Sequence, residues 1–536
     1  MTNQTSIDFK SVSNGATIPI TIAITVVLGL FLQFFALPRM DPREPPLLKP
    51  TIPLIGHIIG MFRYQADYHL ILRRKTHQPI ATLPMLTGKM YAVWDPVLLA
   101  SGLRNKHLST SPSIKTITQP LMHVSNDFHE YLNGPDGDAL IDRIMLHAIP
   151  SAFKPSAVQK MNEAALIHIA ADLSALAAAT GNDDVEIPNV WMWIRSLITS
   201  VTAKAVYGKE DPFSKDPGME QALWDLESDM LKLTLDVFPS VIAPAGNRGR
   251  ALLTKMLTPF YSAKHDTDPS ASDFVRNRAA EQRSKGVSDE DLAKVEMLLP
   301  FAALTNTVPT LFWFWSFIVS RPELAAQLRD EIETNLIAKR HGNVVTLRAG
   351  SAAVEERCPL LWSCYRETLR MTIHQVSTRT VMQDTTISDG RGNSYLLKEG
   401  MAIQMSIGVG HAMQEYWGSD VAEFKADRFL NLPDAKTDDG GPGSARAIKA
   451  AYQPFGGGMH LCPGRNFAVA EMMSVVTTML LGFDVSPLGR SDWKLPVKSN
   501  GSLIDAVTKP AGNGKGFGIR VRRRPGWEGV SWNYEL

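Results

Sequence analysis

The sequence has little cysteine and no surplus of either charge, and each lack removes a class of protein. Cys358, Cys364 and Cys462 are the only three cysteines, an odd number with no C-x-x-C pair. That argues against a disulfide scaffold or a zinc site and suits a reducing compartment. The 55 Lys and Arg residues balance 54 Asp and Glu, for a net charge of +1. No global field draws in a polyanion, so nucleic acid is discounted as a partner. Fixed-period repeats and long low-complexity tracts are also missing; the stretch 438–443, DDGGPG, is a short flexible loop. What remains is ordinary globular composition, 44% hydrophobic and 20% charged over 536 residues, with ample apolar material for a large core.

Residues 18–37 read IPITIAITVVLGLFLQFFAL without a charge. At about 1.5 Å per residue this is long enough to cross a hydrocarbon core of about 30 Å. The run exceeds a usual signal-peptide apolar region, and Ala36-Leu37-Pro38 is a poor cleavage site. A transmembrane helix over 18–37 is therefore predicted, with residues 1–17 as a short lumenal tail. Arg39, Arg43 and Lys49 follow it and only Lys10 precedes it, which places the remainder in the cytosol. Asn3 opens a glycosylation sequon on the lumenal side, whereas the sequon at Asn500 is expected to stay unmodified. Residues 38–56 carry Pro42, Pro45, Pro46, Pro50 and Pro53 and read as a stiff hinge.

The body, 57–536, reads as mainly α with minor β. IATLPML and MYAVW around Thr87-Gly88-Lys89 form a predicted hairpin, and Asp95-Pro96 supply an N-cap and first-turn proline for the next helix. Long helical patterns follow in MNEAALIHIAADLSALAA, in VWMWIRSLITSVTAKAVYG and from Asp289 to about Ser320. Strand-like stretches concentrate around residues 378–404.

The chemistry concentrates in Phe455-Gly456-Gly457-Gly458-Met459-His460-Leu461-Cys462-Pro463-Gly464-Arg465, just ahead of an apolar helical run. Glycines without a Cβ let the backbone turn tightly and approach a flat ligand. A cysteine before a helix N-terminus has its thiolate favoured by backbone N–H groups, and a thiolate on haem iron promotes O–O cleavage. A Gly-rich turn around an inert buried cysteine is the competing reading. Phe455, Gly458, Cys462 and Gly464 match the haem-loop signature of the cytochrome P-450 family, which the chain resembles.

That resemblance implies a cytochrome P-450 fold over 57–536, haem b with Cys462 as axial ligand, and a single-pass anchor in the endoplasmic reticulum membrane. It also gives roles to other residues. Glu367 and Arg370 share a helical face and resemble the family's E-x-x-R pair, priced here as a surface pair at under about 1 kcal/mol. Arg428, in Phe424-Lys425-Ala426-Asp427-Arg428-Phe429, resembles the later arginine that joins them, although Ala426 stands where proline is usual. This network is expected to be structural. Arg379 resembles the arginine that pairs with a haem propionate, an exposed strand arginine being the alternative. His460 stands where many members carry a second propionate partner, with a weaker, titratable charge. No W-x-x-x-R element is found in the corresponding stretch, 128–153.

In Phe301-Ala302-Ala303-Leu304-Thr305-Asn306-Thr307-Val308-Pro309, Asn306 replaces the acid that family monooxygenases carry before the threonine. A carboxylate feeds protons through water to the reacting oxygen; an amide does not titrate. Thr307 still orients water. Pro309 removes a backbone donor and frees a carbonyl one turn earlier, opening an oxygen groove or merely kinking a core helix. The N-T-x-P pattern resembles the branch with sterol 7-alpha-hydroxylases and prostacyclin synthase. The aromatic run Phe312-Trp313-Phe314-Trp315 reads as buried packing.

Three functions follow from the resemblance. The first is a monooxygenase acting on a hydrophobic small molecule, a terpenoid, steroid or polyketide of secondary metabolism, with oxygen and electrons from NADPH-cytochrome P-450 reductase, since no segment looks like a flavin module. Lys449 and Arg465 are plausible docking charges for that partner. The second is a reductase-independent isomerase or dehydratase, motivated by Asn306. The third is a non-catalytic haem-binding protein.

Overall fold

The computed structural model describes residues 40–52, 55–86, 88–180, 184–432 and 444–536. The predicted transmembrane segment, the lumenal tail and the loop 438–443 lie outside the described residues. Part of the Pro-rich segment does not stand free of the body. The Pro46 carbonyl accepts from Thr82 N at 2.9 Å, Thr82 Oγ1 donates to the Pro45 carbonyl at 2.8 Å, and Leu48 N donates to Thr82 O at 2.9 Å. Proline lacks an N–H but keeps a good acceptor, so this segment follows a sheet edge without being a full strand.

That sheet has five strands in the order Ile80–Pro84, Lys89–Val93, Ala402–Ser406, Val376–Val381 and Leu108–Ser109. The predicted hairpin is its first antiparallel pair, Ile80 opposite Val93, and the third strand runs parallel to the second. Asp95 caps the next helix, Pro96–Arg104, its carboxylate accepting from Val97 N and Leu98 N at 2.9 Å each, with Pro96 in the first turn.

Helices make up most of the rest. The patterns read from sequence become helices Pro155–Ala179 and Val190–Tyr207, which pack on each other and against the central helices. Helix Arg465–Gly482 is apolar on all sides and buried along nearly its whole length, as befits a core helix. Every residue of helix Thr307–Val319 is buried. Its aromatic run is packing, as predicted: Phe312 meets Trp191 edge-on at 5.6 Å and Phe314 meets Tyr365 at 5.7 Å.

The long helical run from Asp289 to about Ser320 is three consecutive pieces, Asp289–Glu296, Leu298–Leu304 and Thr307–Val319: the disturbance expected at Pro309 is present, and a second one precedes it. Two prolines explain the breaks. Pro300 offers no N–H to the carbonyl four residues earlier, at Glu296, and Pro309 offers none to Thr305. The chain turns at each orphaned carbonyl. At the second turn, Thr307 Oγ1 donates to Ala303 O at 3.0 Å and Thr310 Oγ1 to Asn306 O at 2.7 Å.

Candidate active site around Cys462

The cysteine loop is a tight turn that only its glycines permit. Gly456 and Gly458 hold φ of +72° and +65°, and a Cβ on Gly458 would lie 2.1 Å from the Leu103 carbonyl oxygen. Gly457 is extended and Gly464 has an ordinary φ. Cys462 N donates to Phe455 O at 3.0 Å, closing the loop, and Arg465 Nη1 donates to Cys462 O at 2.9 Å. The two other cysteines are buried elsewhere, with the Cys358 thiol pushed up to about 12 by burial. Burial also pushes the Cys462 thiol up, and the backbone N–H groups of Gly464 and Arg465 with the Arg465 charge pull it down. The helix N-terminus thus favours the thiolate, as expected from sequence, but burial is the larger effect.

Cys462 opens onto a cavity of about 540 Å³, lined mainly by apolar side chains. Phe455, His460 and Gly464 line it from the loop, and Asn306 and Thr307 from the broken helix. Cys462 is the only one of the three cysteines on its wall. Asn306 Oδ1 accepts from Ala506 N at 3.3 Å, which fixes the amide and leaves its NH₂ as a donor. Tyr365 also lines the cavity, and its buried hydroxyl has no partner among the described residues.

On helix Pro359–Thr372, Glu367 binds two arginines. Arg370 donates to it twice, at 2.7 and 2.8 Å, and Arg428 Nε donates at 2.8 Å. Arg370 Nη1 also reaches the carbonyls of His411 and Val421, and Arg428 Nη1 reaches Trp417 O and Asp420. The side chains of Glu367, Arg370 and Arg428 are 0%, 1% and 8% exposed. The surface price put on this pair is therefore wrong: the partners lie in the interior, where breaking such a set is costly.

Arg379 lies on strand Val376–Val381 and is 1% exposed, which excludes an exposed strand arginine. Among the described residues its Nε has no partner, and its one hydrogen bond is long, 3.5 Å to Leu108 O. Burial lowers the pKa of His460, and the Arg379 charge lowers it further, so the two groups are neighbours.

The cytochrome P-450 family model matches residues 45–512. The chain belongs to the cytochrome P-450 family. It is 34% identical over 96% of both chains to a cytochrome P-450 monooxygenase of Gibberella zeae. It is 24% identical to the human 7-alpha-hydroxycholest-4-en-3-one 12-alpha-hydroxylase, covering 87% of this chain and 91% of that one. The latter match agrees with the sterol-hydroxylase-like branch suggested by the N-T-x-P pattern. A retinoic acid-bound cyanobacterial cytochrome P-450 shares the fold, with a TM-score of 0.64 at 16% identity over 90% of this chain and all of that one. The protein is thus a cytochrome P-450 monooxygenase.

Haem with cysteine-thiolate ligation is the cofactor of this family, and the residues present fit it. A buried guanidinium with unmet N–H donors is costly unless an anion reaches it, and a porphyrin carboxylate is such an anion. The stretch 128–153 departs from the usual pattern. It forms Asn126–Asn133, Gly137–Arg143, a π-turn over Ile144–Ala148 and Ile149–Ala152. Phe128, Ile141, Met145 and Phe153 turn to the cavity, while Arg143 pairs with Glu281 at the surface. Two polar lining residues, Arg278 and Gln282, were not singled out from sequence, where they sit in an ordinary charged helix pattern.

Proposed function

We propose that the cavity is the chamber in which a hydrophobic small molecule, of terpenoid, steroid or polyketide type, is oxidised, with Cys462 Sγ as the axial ligand of haem b. The observation that carries this reading is the placement of one cysteine on the wall of a large apolar cavity at the start of a buried helix. Phe455, Gly458 and Gly464 would shape the loop around the porphyrin, and Arg379 and His460 would hold its propionates. Haem bound there would supply oxygen activation, in which O2 with two electrons and two protons gives one oxygen atom to a C–H or C=C bond and the other to water.

The side chains on the other wall manage water and protons. Thr307 spends its own proton on Ala303 O, so its oxygen faces the cavity as an acceptor for water. Asn306 offers N–H donors but no exchangeable acid, so protons arrive through water and not from its side chain. The apolar lining keeps bulk water out. Electrons come from NADPH-cytochrome P-450 reductase, with Lys449 and Arg465 as docking charges. Residues 18–37 anchor the chain in the endoplasmic reticulum membrane, residues 38–56 link anchor and body, and 57–536 lie on the cytosolic side.

The test is the carbon monoxide difference spectrum of the reduced protein. Wild type is expected to give the thiolate-type Soret shift and Cys462→Ala to lose it; an unchanged spectrum in the variant overturns the assignment. The Asn306–Ala506 contact favours a second reading, because a locked amide without a titratable proton suits rearrangement of an already oxygenated substrate. Product formation from a peroxide or hydroxylated substrate without NADPH and reductase would support isomerase or dehydratase chemistry, and strict dependence on both would remove it.

A further inference from the structure

One polar cluster interrupts the apolar wall. It is built where helix Asp273–Arg283 packs on helix Asp289–Glu296. Arg278 Nε donates to both Glu296 oxygens, at 3.1 and 2.9 Å, and Gln282 Nε2 donates to Glu296 Oε1 at 2.6 Å and to Arg278 O at 3.3 Å. Glu296 is wholly buried. Arg278 and Gln282 line the cavity, and the rest of the guanidinium makes no hydrogen bond among the described residues. Gln282 is 0% exposed, yet its Oε1 has no partner among the described residues. The cluster is not beside the cysteine: Arg278 lies over the Phe274 ring at 5.8 Å, Phe274 meets Phe153 edge-on at 5.0 Å, and Phe153 packs on Gly464.

These atoms fix the chemistry of a ligand. Glu296 takes the NH₂ of Gln282, so the atom left over is an acceptor, whereas Arg278 leaves only donors. Arg278 and Glu296 together carry no net charge, so an anionic group placed there would lose its hydration without gaining a free cation. A neutral hydroxyl satisfies both valences, donating to Gln282 Oε1 and accepting from an Arg278 N–H. Tyr207 and Tyr261, whose buried hydroxyls lack partners among the described residues, feel the charges of the same pair; burial and the Glu296 charge hold their pKa well above the ordinary value, so both stay neutral.

We infer that Arg278, Gln282 and Glu296 form a polar anchor that binds a hydroxyl group on an otherwise apolar substrate, at the end held away from Cys462. The inference rests on the proposed reading of the cavity as the substrate chamber. It narrows the substrate to hydrophobic alcohols, which an earlier oxygen-inserting or hydrolytic reaction must supply.

The test is calorimetric titration of the holoenzyme with decan-1-ol, decane and decanoate. Wild type should bind the alcohol about tenfold more tightly than the alkane, the return on one or two buried hydrogen bonds. Gln282→Met removes the acceptor together with the Nε2 donor to Glu296 and should bring the two within about twofold of each other. Gln282→Leu serves if the first variant fails to fold. Equal wild-type affinity for alcohol and alkane, tighter binding of decanoate, or an alcohol preference that survives in a folded variant would each overturn the anchor. The carbon monoxide spectrum reports separately on the haem site, so a failed anchor and a failed haem assignment give different results.

Discussion

On helix Pro359–Thr372, Glu367 holds Arg370 and Arg428; at the cavity, Glu296 holds the lining residues Arg278 and Gln282. Both carboxylates are wholly buried and both accept from an arginine side chain. The difference lies in what the remaining donors do. Arg370 and Arg428 spend theirs on backbone carbonyls of His411, Val421, Trp417 and Asp420, tying several segments together. Arg278 leaves its remaining donors on a cavity wall, next to an orphaned amide oxygen. A closed assembly organises the chain, and an open one is a binding site waiting for its last partner.

The largest effect should come from breaking the closed assembly. Glu367→Ala leaves two buried guanidiniums without their anion and is expected to cost about 3–5 kcal/mol. The measurement is the denaturant midpoint, with haem content as a second readout. A loss below about 1 kcal/mol would mean that the network behaves as a surface pair after all.

A lone buried carboxyl sharpens the contrast. Glu471, in the middle of helix Arg465–Gly482, is 0% exposed, makes no ion pair among the described residues, and accepts only from Thr202 Oγ1 at 2.7 Å. Burial pushes its carboxyl up to about 8, with the Thr202 bond pulling the other way. Between its ordinary unfolded value of about 4.3 and that raised value, the folded state holds one proton more than the unfolded state. Stability should therefore fall with rising pH across this window, by up to about 1.4 kcal/mol per pH unit, and level off above it. Glu471→Gln should remove that one-proton slope and be more stable than wild type near pH 8. A pH profile unchanged by the substitution would place a cation or water on the carboxylate.

How much of this could be read from sequence depended on how local each device is. The cysteine loop, the Asp95-Pro96 helix start and the Glu367–Arg370 pair are made by residues within one or two turns, so the residue pattern is the structure. Arg428 was found only through the family resemblance, being 61 residues from Glu367. Of the two helix breaks, the one at Pro309 is legible as a removed backbone donor, whereas the one at Pro300 is hidden under unbroken apolar periodicity. The anchor was illegible: 18 residues separate Arg278 from Glu296, and a turn must fold before they meet. Nor does composition say whether an arginine in a charged helix faces solvent or a cavity.

The smallest effect on stability, and the one that separates the two assemblies most cleanly, should come from Arg278→Met combined with Glu296→Leu. Replacing both partners of a buried ion pair by apolar side chains of similar volume removes the desolvation cost together with the attraction, so the net change should stay within about 1 kcal/mol. The main cost is the lost partner of Gln282 Nε2. The same exchange at Arg370 and Glu367 would strip donors from the carbonyls of His411 and Val421 and could not be neutral. Urea midpoints at constant slope decide the matter. If the double variant at the cavity keeps its stability but binds decan-1-ol no better than decane, the open assembly serves the ligand and not the fold; if it loses several kcal/mol, the two assemblies are of one kind and the cavity pair is structural.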